Sequence, residues 1–147
     1  MLQIARHTDY ASRIVLHLAC LGEGAQASIA EIAAERMLPA FFVRRLIGRL
    51  VKGGILVTSR GSSGGVRLAR PASEITLLDL VQAMEGPIAL NPCLAEHHTC
   101  PFSASCPVQL VWADATSALN ASLASARFDV LATGTAGHQA AHMAMHH

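Results

Sequence analysis

Three of the four cysteines lie close together in the second half of the chain, at Cys93, Cys100 and Cys106. Their spacing, C-x6-C-x5-C, places three thiols on one short segment. Thiolates are soft ligands that suit iron–sulfur clusters and zinc. In a disulfide scheme an odd number of cysteines would leave one thiol unpaired. The spacing therefore predicts a metal site with three ligands from this segment and a fourth from elsewhere.

Zinc is the main competitor of an iron–sulfur cluster for these thiols, with His97 or His98 as a fourth ligand. Zinc ligands usually occur in pairs separated by about two to four residues, and these three cysteines contain no such pair. We therefore expect an iron–sulfur cluster, with zinc and redox-active or structural thiols as the alternatives. The fourth cysteine, Cys20, has apolar neighbours in a predicted helix, and we interpret it as a core residue.

Basic residues form the second group of candidate functional residues. Residues 1–70 hold ten Lys and Arg against four acids, a net charge of +6, whereas residues 71–147 hold one Arg against six acids, a net charge of −5. This asymmetry indicates a nucleic-acid-binding module joined to a regulatory or assembly module. Arginine pairs with guanine in the major groove, and serine donates to phosphates. The predicted DNA-binding residues are Ser28, Arg44, Arg45, Arg49, Arg60, Ser62, Ser63 and Arg67.

Hydrophobic periodicity predicts three helices that position these basic residues. The first covers residues 8–21, with Thr8 as its N-cap. The second begins at Ser28, where an S-x-x-E capping box is present, and the third covers residues 40–52. The third helix separates its apolar side chains from its arginines, as a helix that enters the major groove requires.

A β-hairpin is predicted directly after the third helix. Two β-branched runs, ILVTS and VRLA, are joined by the glycine-rich RGSSGG. Helices followed by a hairpin are the order of a winged helix-turn-helix, in which an arginine of the wing can enter a narrow minor groove. We therefore predict a winged helix-turn-helix DNA-binding domain over residues 1–71.

The acidic half is predicted to hold a loop between two helices. A short helix is expected over residues 76–85 and a long one over residues 107–126, whose many small side chains allow close helix–helix approach. We interpret the long helix as a dimerisation helix, so residues 72–133 would form the cluster-binding loop and the dimerisation helix. Residues 134–147 are expected to be a flexible tail that partly resembles a cloning remnant or affinity tag. The fold class is thus mainly α with a small β-hairpin wing.

Composition and motifs argue against several other classes of protein. Hydrophobic residues make up 52% of the chain and charged residues 14%, the opposite of a disordered protein. No apolar run is long enough to span a bilayer, and the N-terminal residues do not form a secretory signal, so we expect a cytoplasmic protein without a membrane partner. No Ser–His–Asp, Walker or nucleotide-binding motif and no four-cysteine ferredoxin spacing occurs, so neither an enzyme nor a redox carrier is expected.

The order of these motifs is similar to that of the Rrf-two family of bacterial transcription regulators. The similar segments, within about residues 1–126, are TDYASRIVLHLA, ASIAEIAAE, LPAFFVRRLIGRLVKGGILVTSRGSSGGVRLAR, ITLLDLVQAMEG and the three-cysteine loop. The resemblance implies a homodimer that places one winged helix on each half of a pseudo-palindromic double-stranded operator. It also implies an iron–sulfur cluster bound by the three cysteines, with 4Fe–4S favoured over 2Fe–2S.

Branches of this family differ in the fourth cluster ligand. The IscR-like branch has a His three residues after the last cysteine, where this chain has Gln109. The NsrR-like branch resembles this chain at the TDY motif, where an Asp of the partner subunit completes the cluster, so the resemblance implies Asp9 as the fourth ligand. The weaker candidates are His7, His97 and His98. Without that role, Asp9 would stabilise the first turn of its helix.

The function implied by the resemblance is transcriptional repression under the control of a cluster. The operator affinity would depend on the state of the iron–sulfur cluster, which would sense nitric oxide, redox or iron status. The alternative is a regulator of the same family that has no cluster, or binds zinc, and senses through its thiols.

Overall fold

The computed structural model describes residues 3–95 and 100–134. Within them the helices are α1 (Arg6–Leu21), α2 (Ile29–Arg36), α3 (Ala40–Lys52), α4 (Leu77–Glu85) and α5 (Pro107–Ser125), and residues 128–134 are also helical. The strands are β1 (Gln26–Ala27), β2 (Leu56–Ser59) and β3 (Gly65–Leu68), and single 3-10 turns cover Ala72–Glu74 and Pro92–Leu94. This architecture confirms the prediction of a mainly helical winged-helix fold. His97, His98 and tail residues 135–147 lie outside the described residues.

A three-stranded antiparallel sheet forms the wing, in the order β1–β3–β2. Strands β2 and β3 are the predicted hairpin, with Thr58 opposite Val66. Strand β1 pairs with the other edge of β3 and places Ala27 opposite Val66. Strand β1 could not be predicted, because a segment of two residues is too short to show the alternation by which a strand is recognised.

The core begins with the apolar faces of α1, α2 and α3. On α3 the fully buried residues recur at helical spacing, as predicted; they are Val43, Leu46, Ile47 and Leu50. On α1 the prediction of a buried Cys20 is wrong, because this residue is exposed. Cys20 is two positions after the buried Leu18, a rotation of about 200° around the helix that turns it toward solvent.

Local capping signals predicted two helix starts correctly and one incorrectly. The side chain of Ser28 caps α2 in a capping box with Glu31, and an equivalent box begins α4. Helix α1, however, begins at Arg6, and its N-cap is Ala5 rather than Thr8. Thr8 lies inside α1, where it is buried, and within the described part of the chain its Oγ1 has no hydrogen-bond partner. Thr8 lines a groove with Leu77, Leu80 and Val81 of α4, residues that are distant from it in the chain.

One core covers both sides of residue 71. Ile75 and the α4 residues Leu80 and Met84 are buried in the same cluster as α1–α3. After α5 the chain returns to this core, since Phe128 is buried and its N–H donates to the carbonyl of Ile75 at 3.0 Å. Helix α5 itself contributes no buried residue. The functional division at residue 71 stays a prediction.

None of the helices within the described residues has the length and apolar character needed to cross a membrane.

Candidate DNA-binding surface and cysteine loop

A tight turn joins α2 to α3 and sets the angle between them. Met37 ends α2 in the left-handed conformation, with φ of 52°, and the N–H of Leu38 donates to the carbonyl of Ala33 at 3.0 Å. Pro39 then starts α3 from an extended conformation, for which its ring is suited. This helix-turn-helix leaves the predicted contact residues Arg44 and Arg45 exposed on α3.

Two large apolar side chains at this turn are exposed and were not singled out from the sequence. Phe41 is 66% exposed and Met37 is 90% exposed. Residues three and four positions apart share a helix face, so Phe41 lies beside Arg44 and Arg45. Apolar side chains contact the methyl group of thymine in the major groove. The signal available from sequence was that Phe41 falls outside the stripe of core positions on α3.

Arg49 differs from the other arginines of α3. Its Nη2 donates to the carbonyl of Met84 at 2.7 Å, in a partly buried hydrogen bond to the last turn of α4. Arg49 is exposed like Arg44 and Arg45, but one face of its guanidinium is engaged by α4. Of the three predicted arginines on α3, Arg44 and Arg45 have no such bond among the described contacts.

The wing presents Arg60 at its tip, next to Gly61, whose φ of 101° requires glycine. Arg60 is exposed there, as predicted. Arg67 is exposed too, but it lies within β3 and lines a groove that also contains Cys20 and Glu23. Arg60 is therefore better placed than Arg67 to contact a ligand from the tip of the wing.

The three predicted serines occupy different settings. Ser28 Oγ accepts from the N–H of Glu31 at 3.1 Å, which still leaves its hydroxyl proton free to donate to a phosphate. Ser62 and Ser63 are exposed in the wing turn, and the carbonyl of Ser63 accepts from the side-chain amide of Gln26. This bond ties the wing turn to β1 and limits its freedom.

Two of the three loop cysteines lie at the N-terminal end of α5. Cys106 is the N-cap residue of α5. Gln109, in the first turn of α5, donates from Nε2 to the carbonyl of Cys93 at 3.3 Å. The N–H of Leu90 also donates to Thr116 Oγ1 on α5, at 3.4 Å. Hydrogen bonds thus attach the start of the loop to α5, the chain itself joins α5 at Cys106, and Gln109 has an anchoring role.

Cys100 lies between Cys93 and Cys106, directly before a series of turns. Its carbonyl accepts from the N–H and the hydroxyl of Ser103, at 3.2 and 2.9 Å. Cys93, Cys100 and Cys106 are all free thiols and partly buried. Within residues 3–95 and 100–134, no group of three or more His, Cys, Asp or Glu side chains is arranged to hold a metal ion.

Asp9 lies in the first turn of α1, whereas the three cysteines lie in the loop before α5 and at the N-cap of that helix. Its Oδ2 is 2.8 Å from Nη2 of Arg13. Asp9 lines a groove of about 530 Å³ together with Thr8, Leu77 of α4 and Leu123 of α5. Among the described residues it forms no ligand group with the cysteines of its own chain.

Known sequences are similar to this chain over most of its length. The profile of the Rrf2 family, described as an iron-dependent transcriptional regulator, matches residues 4–134. Protein aau3 of Rhizobium meliloti is 38% identical over 106 residues, which make up 71% of this chain and 68% of that protein.

Solved structures share the architecture. CymR (YrzC), described as the global cysteine regulator of B. subtilis, aligns with a TM-score of 0.74 and 25% identity, over 90% of this chain and 98% of that one. IscR of T. potens shares the fold with a TM-score of 0.70 and 24% identity, over 90% of this chain and 88% of that one. Members of the matched family are transcription regulators that bind DNA, not enzymes. This chain belongs to the Rrf2, or Rrf-two, family of winged-helix transcription regulators.

Proposed function

We propose that this protein is a transcriptional repressor whose operator affinity depends on an iron–sulfur cluster held by Cys93, Cys100 and Cys106. The observation that carries the proposal is the attachment of the loop to α5. The hydrogen bond from Gln109 to the carbonyl of Cys93 brings that cysteine to the helix end at which Cys106 is the N-cap.

The donor set fits such a group in its chemistry. Three free, partly buried thiols are soft ligands, and soft ligands select iron–sulfur clusters over hard cations. Cys106 lies at a helix N-terminus, whose partial positive charge favours an anionic group. A bound cluster, 4Fe–4S rather than 2Fe–2S, would supply sensitivity to nitric oxide, redox or iron status. The chain itself supplies the anchored loop that transmits a change at the cysteines to α5.

A homodimer is the second part of the proposal. Helix α5 has no buried residue, and large apolar side chains along it are exposed; they are Val108, Leu110, Val111, Trp112 and Leu119. Apolar side chains repeated along one helix favour burial against a second copy of that helix. The groove beside Asp9 includes Leu123 of α5, so a second chain packed along α5 would approach Asp9. Asp9 of the partner subunit is therefore the proposed fourth ligand.

DNA recognition follows from the winged helix. Helix α3 would enter the major groove with Arg44 and Arg45 against its bases and phosphates, while Arg60 would reach the adjacent minor groove. Two winged helices of a dimer would contact half-sites about 34 Å apart. A change in their separation that alters the binding free energy by about 1–3 kcal/mol would change operator affinity by about 5–150-fold.

Cysteine substitutions with a matched control test this proposal. We expect Cys93→Ser, Cys100→Ser and Cys106→Ser, each purified without oxygen, to lose bound iron and sulfide and to lose the dependence of operator affinity on a chelator. Cys20→Ser is the control, because Cys20 is an exposed cysteine of α1 and not part of the loop. If the three loop variants kept the iron content of the wild type, the cluster assignment would be wrong.

A thiol-redox regulator without iron is the second candidate function. The observation in its favour is that the described residues do not bring the three thiols together as a ready ligand group. Such a protein would be colourless or contain stoichiometric zinc after anaerobic purification, and its operator affinity would change on oxidation by peroxide.

A further inference from the structure

The carbonyl end of α4 is a junction between three functional parts of the molecule. Arg49 of α3 donates to the carbonyl of Met84 at 2.7 Å. The next residue, Glu85, accepts from the backbone N–H of Ala5, the N-cap of α1, at 3.1 Å. Glu85 is also the last residue of α4, and the chain that follows it leads directly to Cys93.

The bond from Arg49 has a clear physical role at this junction. The last four carbonyls of a helix have no partner within the helix, and they carry the negative end of its dipole. The carbonyl of Gln82 is satisfied by the N–H of Gly86 at 2.9 Å, whereas the carbonyl of Met84 is satisfied by Arg49. A guanidinium is the side chain best suited to this task, because it brings both a donor and a positive charge.

Close packing next to this bond fixes the same pair of helices. Gly53 is the C-cap residue of α3, and a Cβ atom placed on it would lie 2.5 Å from Cβ of Ala83 on α4. The C-terminal ends of α3 and α4 therefore touch with no room for a side chain between them. A displacement of the end of α4 must move the end of α3.

We propose that Arg49 is a positioning residue that couples the recognition helix α3 to the cysteine loop through the carbonyl end of α4, and that it does not contact DNA. Arg49 was predicted from the sequence to be a DNA-contacting arginine, and the proposal gives it a different role. The coupling rests on the proposed function, whereas the absence of a DNA contact can be tested without it.

Salt dependence tests the first half of the proposal. Each phosphate contact that is lost reduces the slope of log Kd against log salt concentration by about one. We expect Arg49→Gln to leave this slope as it is in the wild type, and Arg45→Ala, a variant of an exposed arginine on the same helix, to reduce it. A reduced slope for Arg49→Gln would show a DNA contact and overturn the assignment. Arg49→Lys is a second test that distinguishes a DNA contact from the positioning role. Lysine keeps the positive charge that a phosphate contact needs, but it lacks the planar donor fork of arginine that binds the carbonyl of Met84.

The switching ratio tests the second half. It is the operator Kd of chelator-treated protein divided by that of the anaerobic, iron-loaded protein. We expect Arg49→Gln and Arg49→Lys to bring this ratio to within about twofold of one, and Arg45→Ala to weaken both states equally and keep the ratio. A wild-type ratio retained in both Arg49 variants would overturn the coupling alone.

The wild type decides the proposed function itself. A ratio of one in the wild type, or iron-free wild-type protein, would overturn both the proposed function and the coupling. The salt slopes would still decide whether Arg49 contacts DNA. Melting temperatures of the cluster-free variants identify any that are unfolded, and for an unfolded Arg49→Gln the Arg49→Lys result decides.

Discussion

Asp9 and Arg13 form an ion pair one turn apart on α1, with Oδ2 of Asp9 2.8 Å from Nη2 of Arg13. Both side chains are about half exposed, at 53% and 51% respectively. An exposed pair at this spacing contributes only about 0.3–0.5 kcal/mol, so Asp9 can exchange Arg13 for a stronger partner at little cost. The carboxylate that is the proposed fourth cluster ligand is therefore available.

Substitution of Asp9 tests that assignment. We expect Asp9→Ala to make cluster loss in air faster and to change the visible absorption spectrum of anaerobic protein, with little effect on the melting temperature because the ion pair is exposed. Arg13→Ala is the control, since it removes the same ion pair but keeps the carboxylate. Identical spectra and decay rates for Asp9→Ala and the wild type would exclude Asp9 as a ligand.

Two glycines of one helix region are expected to respond in opposite directions. Gly53→Ala would place a methyl group 2.5 Å from Cβ of Ala83, and overpacking of this kind costs about 1–3 kcal/mol. Gly48 lies inside α3, and no heavy atom lies within 4 Å of the position that a Cβ atom would occupy there. Gly48→Ala should therefore be neutral or stabilise the fold by up to about 1 kcal/mol. Urea denaturation measures both values. Ala83→Gly should restore stability to Gly53→Ala, and failure to do so would contradict the close contact between α3 and α4.

Adjacent phenylalanines on α3 should separate DNA binding from stability. Phe41 is exposed, so Phe41→Ala should leave the free energy of unfolding within about 0.5 kcal/mol of the wild type and weaken operator binding by about 1–3 kcal/mol. Replacing thymine by deoxyuridine in the operator removes the methyl group. This change should weaken operator binding by the wild type but not by Phe41→Ala.

The control is Phe42→Ala, because Phe42 is partly buried and packs edge-on against Tyr10, with ring centroids 5.6 Å apart. That variant should lose stability. Equal discrimination of the two operators by Phe41→Ala and the wild type would exclude the methyl contact.

The pH dependence of stability should include a contribution from His17. Burial lowers the pKa of His17, and the nearby positive charge of Arg36 lowers this pKa further. Nη2 of Arg36 lies 3.0 Å from Nδ1 of His17, which accepts the hydrogen bond in its neutral form. The unfolded chain then binds a proton more readily than the folded one. This contribution to stability is complete above the unfolded pKa of about 6.5 and falls as the pH drops below that value.

The measurement is the urea midpoint at about pH 7.5 and about pH 5.5, on either side of the unfolded pKa. The wild type should lose more stability across this interval than His17→Gln, which cannot titrate. Equal losses in the two proteins would show that His17 does not contribute.

Features set by short-range rules could be predicted from the sequence. The amphipathic pattern of α3 and the capping box that begins at Ser28 each involve residues within a few positions of one another, so the sequence displays them directly. The arginine-bearing helix, the glycine-rich wing and the three-cysteine loop were found for the same reason.

Features set by tertiary contacts could not be predicted. The partner of Arg49 is a carbonyl on another helix, and the return of Phe128 to the core depends on a hydrogen bond to Ile75. Cys20 has apolar neighbours along the chain but faces solvent, because its position around α1 matters more than its neighbours in sequence. For Arg49 and Phe128 the deciding atoms are far apart in the chain, whereas the exposure of Cys20 follows from its position around the helix.

The most direct test of cluster control uses one anaerobic preparation of the protein. Its operator affinity is titrated before and after removal of iron by a chelator, and again after exposure to nitric oxide, with iron and sulfide determined on each sample. We predict brown protein that contains iron and sulfide and loses affinity by about 5–150-fold when the cluster is removed or nitrosylated. Iron-free protein that binds the operator with the same affinity in all three conditions would contradict cluster control.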